Sequence, residues 1–209
     1  LGTASVSKYR PIPQLLAMTL SMRWKPFDPR LMRDFLLHPE CPVNSAIRFR
    51  LAKSLDQYPG MGNQLWNEAI ESAKQSIEAK FKDDETEKSK ALKQLERNVK
   101  DWIEFEFLDP ENVSSLSLLE VGQQVSKWAV SRSKTMPEKE EEYSQLHQLA
   151  KDFCSITETR PSSNRIEVDQ MIRSLMGHGK TNSRSIAELG HIPVLFPSGM
   201  VRPVDSVFW

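Results

Sequence analysis

Through most of this chain apolar residues return every three or four positions, the period of a helix that turns one face to a core. Leu15, Leu16, Met18, Thr19 and Met22 predict a helix from about Pro11 to Met22, apolar on more than one side, after an exposed lead-in over residues 1–10. Leu31, Met32, Phe35 and Leu36 predict a short helix behind Asp28-Pro29, an N-cap followed by a first-turn proline. It ends at about Leu37, because Pro39 disfavours helical geometry at His38, and Pro42 adds a second bend. Asn44 is placed to cap a further helix with the stripe Ile47, Leu51 and Leu55. Tyr58-Pro59-Gly60-Met61-Gly62 breaks it, with two glycines available for positive φ.

A third stripe, Trp66, Ile70, Ala73, Ile77 and Phe81, predicts a helix from Leu65 to about Asp83. The acidic run Asp83 to Lys88 reads as a turn or as a long solvated helix, and Leu92, Leu95, Val99, Trp102 and Ile103 restore the period to about Phe107. Antiparallel packing of these two helices would bury both stripes against each other. Asp109-Pro110 ends the pattern, and Ser114 or Ser115 can cap a helix bearing Leu118, Val121, Val125, Trp128 and Arg132. Met136-Pro137 opens another, whose acidic first turn Glu138 to Glu142 suits the positive end of the helix dipole. Its core face is Tyr143, Leu146, Ala150, Phe153 and either Ile156 or Thr157. Arg160 to Asn164 is a turn cluster, and a last helix carries Val168, Met171, Ile172 and Leu175. Beyond a polar loop at Gly177 to Ser183 and a short helical turn at Ile186 to Leu189, the period changes. Ile192 to Phe196 and Val204 to Trp209 read as strands. The expected fold is mainly α, a multi-helix, bundle-like domain over 1–187 with a short C-terminal β segment at 188–209.

A chain of 209 residues can bury about 70% of its unfolded surface, so its stability requires no metal or disulfide staple. Two cysteines are too few for a disulfide framework, no apolar run is long enough to span a membrane, and no signal-peptide pattern is present, so a cytoplasmic setting is expected. The chain opens on Leu1 without an initiator Met, so the natural N-terminus is expected to lie outside this sequence. Lys and Arg balance Asp and Glu at 28 each, but unevenly: residues 1–60 carry a net +5, 61–121 a net −6 and 122–209 a net +1. A basic first third can face phosphates, whereas neutrality overall argues against a free-standing nonspecific DNA binder.

The series Trp24, Pro26, Asp28-Pro29, Phe35-Leu36, His38-Pro39, Pro42, Leu51-Ala52, Leu55, Pro59-Gly60, Gly62 and Trp66 resembles the AddB-like helicase/nuclease family, relatives of the PD-(D/E)XK nucleases. Leu1-Gly2, Ser7, Arg10-Pro11 and Gln14 extend the likeness to 1–66, and Glu188-Leu189-Gly190, Pro197, Gly199, Pro203-Val204-Asp205, Val207 and Trp209 resemble the family's exit from its helical insertion. Residues 67–187 match only in helical character. The resemblance implies a non-catalytic helical insertion of the second motor domain in a protein that repairs double-strand breaks. DNA and a helicase/nuclease subunit would be partners of the parent, which would use ATP and Mg on other domains; this segment itself would hold no catalytic residue, metal or cofactor. Arg30, Arg33, Arg48, Arg50 and Lys53 flank the matched motif and are the candidates for phosphate contact. The plainer reading of the same charges is a basic helix face paired with the acidic middle third.

Other chemistry has weaker support. Ser174 to Thr181 ends like a phosphate loop, but Ser174 replaces its first glycine and a helix, not a buried strand, precedes it; a small P-loop enzyme would depend on Lys180. His38 and Cys41 have a metal-like spacing without a second pair, while His147 and Cys154 lie seven positions apart on one helix face. A Cys41–His178 nucleophile pair has nothing in its spacing to favour it. Glu78-Ala79-Lys80 satisfies the E-x-K half of the nuclease motif but falls on a helix, where the chemistry needs a strand beside a second carboxylate. From a different class, a free helical scaffold would dock a protein through Trp66, Trp102 or Trp128, provided these rings line an open groove.

Overall fold

Helix α1 (Pro11–Ser21) contains no charged residue and buries Ile12, Leu15, Leu16, Thr19 and Leu20, the Thr19 hydroxyl being satisfied by the Leu15 carbonyl at 2.7 Å. The computed structural model describes residues 11–82 and 84–177, which form a mainly α fold of eight α-helices and one two-stranded ladder. The lead-in 1–10, the helical turn at 186–189, the strands at 192–196 and 204–209 and the β segment 188–209 lie outside the described residues.

Side-chain caps set most helix starts. Asp28 accepts from the Arg30 N–H at the head of α2 (Pro29–Leu37), and Asn44 accepts from the Ala46 N–H at the head of α3 (Ser45–Gln57). Helix α4 (Gln64–Lys80) begins at Asn63, whose amide accepts from the Trp66 N–H and donates to the Gly60 carbonyl, knitting the preceding turn. Of the two glycines in that turn only Gly62 takes a positive φ, at 73°. The acidic run is neither wholly a turn nor one long helix: α4 ends at its C-cap Phe81, Asp84 caps α5 (Glu85–Trp102), and Glu85 to Lys88 form the first turn of that new helix.

Helix α5 stops at Trp102, well short of the expected Phe107. The Ile103 and Glu104 N–H groups both fold back onto the Val99 carbonyl, and the backbone beyond is claimed by a distant partner. Leu108 pairs with Trp24 as a parallel bridge, donating to the Arg23 carbonyl at 2.8 Å and accepting from Lys25 at 3.0 Å. Ring contacts among Phe27, Phe105 and Phe107 occupy the extended stretch between.

The second half starts from β1 (Val113–Ser114) and α6 (Ser115–Thr135), with Ser114 capping at Ser117. A 3-10 turn, Pro137–Lys139, replaces the expected first turn of α7 (Glu140–Glu158), whose buried face is Tyr143, Leu146, Ala150, Phe153 and Thr157. Helix α8 (Arg165–Gly177) opens with a capping box in which Asn164 and Glu167 bond each other's backbone N–H groups at 3.0 Å. The turn cluster before it holds β2 (Ser162–Ser163), antiparallel to β1 in the register Val113 to Ser163. Two-residue strands are too short to show a period in sequence, so this ladder was not expected.

One apolar core runs from Ile12 through Ile172. Helices α6 and α7 make the most extensive contact; α1 lies on α7, α6 and α2, α8 on α7, and α3 joins α2 to α4. The stripe of α4 is shared: it meets α3 over more of its length than α5, so the expected α4–α5 burial is only part of its environment. Among the described residues no helix is long and apolar enough to cross a membrane.

The α6–α7 seam closes over Gly122. A methyl group there would fall 2.5 Å from Cys154 Sγ and 3.2 Å from the Phe153 ring. Gly122→Ala is therefore expected to destabilise by about 1 kcal/mol in chemical denaturation, an overpacking cost of about 1–3 kcal/mol outweighing the roughly 1 kcal/mol that alanine gains over glycine in a helix. The same substitution in a Cys154→Ala background, where the nearest atom is gone, should lose little or nothing.

Candidate nucleic-acid interface

The five cations singled out in sequence lie on α2 and α3, and the structure gives them unequal duties. Arg48 Nη1 donates to the His38 carbonyl at 2.7 Å and the Pro39 carbonyl at 3.3 Å, capping the end of α2. Arg33 Nε lies 2.8 Å from Asp56 Oδ1, tying α2 to α3, and both side chains are about half exposed, so the pair adds little stability. Arg50 Nη2 donates to Ser76 Oγ of α4 at 3.0 Å. Arg30 and Lys53 stand exposed. The basic patch is thus partly a set of braces between helices, although a guanidinium that donates one or two N–H groups has others left for a phosphate. Among the described residues its ion pair runs to Asp56 within the first third, and Arg50 links it to the middle third through the hydrogen bond to Ser76.

Sequence reasoning missed Phe49. Two positions past Ile47, it falls on the far side of α3 from the buried stripe of Ile47, Leu51 and Leu55, and it is 51% exposed. The Arg48 guanidinium lies 4.6 Å from its ring centroid. The signal was an aromatic residue off the apolar stripe and between two arginines.

A second cluster joins the two halves of the fold. The Glu40 carboxylate accepts from Lys139 Nζ at 2.5 Å and from the Tyr143 hydroxyl at 2.6 Å. Burial pushes the Glu40 pKa up, but the hydrogen bonds from Lys139 and Tyr143, with the charges of Lys139 and Arg132, outweigh it and hold the group below the ordinary carboxylate range. Burial and the bond to Glu40 push Tyr143 up to about 12. The Tyr143 ring sits 5.5 Å from Trp128, Trp128 6.0 Å from Trp102, and Trp102 6.2 Å from Phe35, a file of aromatic contacts through the interior. Arg23, also buried, donates to the Asp101 carbonyl and to Gln124 Oε1; burial lowers its pKa to about 10 against the pull of Glu120.

The remaining candidates acquire structural surroundings. His38 Nδ1 accepts from the Glu40 N–H, and burial lowers its pKa. Burial also raises Cys41 to about 11, which keeps the thiol protonated and a poor nucleophile. His147 Nδ1 is 2.8 Å from Ser126 Oγ, and Cys154 abuts the Gly122 seam. Among the described residues no three His, Cys, Asp or Glu side chains are grouped to hold a metal ion. Glu78 and Lys80 lie on α4, and Ser174 to Gly177 on α8, so the start of the phosphate-loop likeness is helical; His178 to Thr181 lie outside the described residues. Trp66 and Trp102 are buried, and Trp128 is half-buried between Trp102 and Tyr143. Against this geometry, no protein-family model, no curated protein and no solved structure matches the chain.

Proposed function

We propose that this chain is a non-catalytic helical part of an AddB-like DNA double-strand-break repair helicase/nuclease, supporting the binding and processing of DNA ends. What supports the reading is the use made of the residues that carry the resemblance. Trp24, Phe35, Leu36, His38, Leu51, Ala52, Leu55 and Trp66 are all buried, Asp28 is an N-cap, and Gly62 supplies the positive φ. Pro26, Pro39 and Pro59 of the same series are exposed, so the order and spacing of the matched residues carry the reading and the burial of its apolar members accompanies it. ATP hydrolysis with Mg, phosphodiester cleavage and the contact with a partner subunit belong to the parent protein on this reading. DNA would meet this segment through Arg30, Arg33, Arg48, Arg50 and Lys53.

The purified chain is expected to show no turnover in ATPase and magnesium-dependent DNA cleavage assays, with Lys180→Ala indistinguishable from the unsubstituted protein. Turnover of either kind overturns the proposal. In the parent reading frame, a Walker loop upstream and a D…E-x-K strand pair downstream are the expected flanks. The alternative, a free protein-interaction scaffold, loses Trp66 and Trp102 to the interior and would rest on other exposed apolar side chains, Phe49, Tyr58, Leu116 and Ile166 among them. Singly exposed apolar residues are ordinary on protein surfaces, which favours the first reading.

A further inference from the structure

Phe49 contributes little to the core, being half open to solvent on the outer face of α3, where Lys53 follows it one helical turn later. Its surroundings are nonetheless built. The Arg48 guanidinium beside the ring is itself fixed by the His38 and Pro39 carbonyls, so the aromatic side chain rests against an anchored cation. Arg50, the next residue and half-buried, is steadied by Ser76 of α4. An exposed ring held by one arginine and accompanied by two further cations combines the two elements with which proteins grip an unpaired strand: a flat apolar surface for a base, and positive charge for the flanking phosphates. A duplex hides the faces of its bases within the stack and would find only the charges here.

We propose that this face of α3 takes up single-stranded DNA, with a base stacked on Phe49 and adjacent phosphates met by Arg50 and Lys53. The inference rests on the DNA-end reading above and adds to it the strandedness of the ligand and the residue that selects it. Holding the ring in advance lowers the ordering cost of each stacking event, and because every base has a flat face the site would be tolerant of sequence.

The test is fluorescence anisotropy of the full chain with a labelled oligothymidine, the same-length duplex and the same-length oligouridine, across a salt series. The single DNA strand is expected to bind tighter than the duplex. Phe49→Ala should weaken that binding by about tenfold, Phe49→Tyr should retain it, and Phe49→Leu, which stays apolar but cannot stack, should behave like Phe49→Ala. Lys53→Ala should lower the slope of log affinity against log salt by about 0.7. Leu116→Ala, at an exposed aliphatic position elsewhere, should change nothing, and circular dichroism of each variant checks that the helices persist. Single-strand affinity that survives Phe49→Ala, a preference for the uridine strand, or a chain that binds no oligonucleotide overturns this inference. The first two outcomes leave the DNA-end reading standing, the third also removes the DNA contact proposed for Arg30, Arg33, Arg48, Arg50 and Lys53, and the non-catalytic assignment falls only to ATP or phosphodiester turnover.

Discussion

Replacing Trp102 with alanine is expected to lower the unfolding free energy by about 3–5 kcal/mol, the range for truncating a large aromatic side chain in a packed interior. Trp102 is 5% exposed at the last turn of α5, stacked on Phe35 of α2 with ring planes 25° apart and edge-on to Trp128 of α6. Its removal would therefore open a void where the two halves of the helical fold meet, with neighbours already committed to other contacts and unable to collapse into it. A urea titration should show the midpoint falling at unchanged slope. Trp102→Phe, which retains a ring for Phe35 to stack on, should lose distinctly less. A loss below about 1 kcal/mol for the alanine variant would mean that the aromatic file does not join the halves.

Glu40→Ala should cost about 1–3 kcal/mol, and most of that through Tyr143. The tyrosine is buried and its hydroxyl would lose the carboxylate that accepts from it, whereas Lys139 is exposed enough to be satisfied by water. Removing both ends of the bond in Glu40→Ala with Tyr143→Phe should recover part of the loss, a coupling that a double-mutant cycle measures. The pH dependence has a definite sign. With the folded pKa of Glu40 held below its unfolded value of about 4.3, its stabilisation is present above that pH and is lost as pH falls through the folded value. The acid limb of the stability curve should therefore be shallower in Glu40→Ala. Tyr143 behaves oppositely: raised to about 12, its contribution is full below the unfolded value of about 10 and disappears as pH rises toward 12.

How much of this was legible in the sequence depends on how local each feature is. Asp28 and Asn44 announce helix starts because a cap involves only the next two or three residues, and Tyr143, Leu146, Ala150 and Phe153 announce a buried face because their spacing alone defines it; between Ser114 and Ser115, and between Ile156 and Thr157, the structure chooses Ser114 and Thr157. The end of α5 was not legible, since Leu108 leaves the helical path to pair with Trp24, far away in the chain. The β1–β2 ladder and the Glu40 cluster are hidden for the same reason. On the candidate interface, sequence located the cations but not their neighbours. Nothing in the spacing of Arg33, Arg48 and Arg50 says that one faces Asp56, one caps α2 and one reaches Ser76. Phe49 was readable from its angle on the helix, had that angle been weighed against the stripe.

The seating of α1 on α7 has a consequence for how the protein is made. A ribosome delivers Ile12, Leu15, Leu16 and Leu20 about 120 residues before Glu140–Glu158, the surface that will cover much of them. Among the described elements made in that interval, this greasy, uncharged helix has α2 and then α6 to pack on. Co-translational folding of this part would then finish late, when the α6–α7 hairpin emerges and α1 settles onto it.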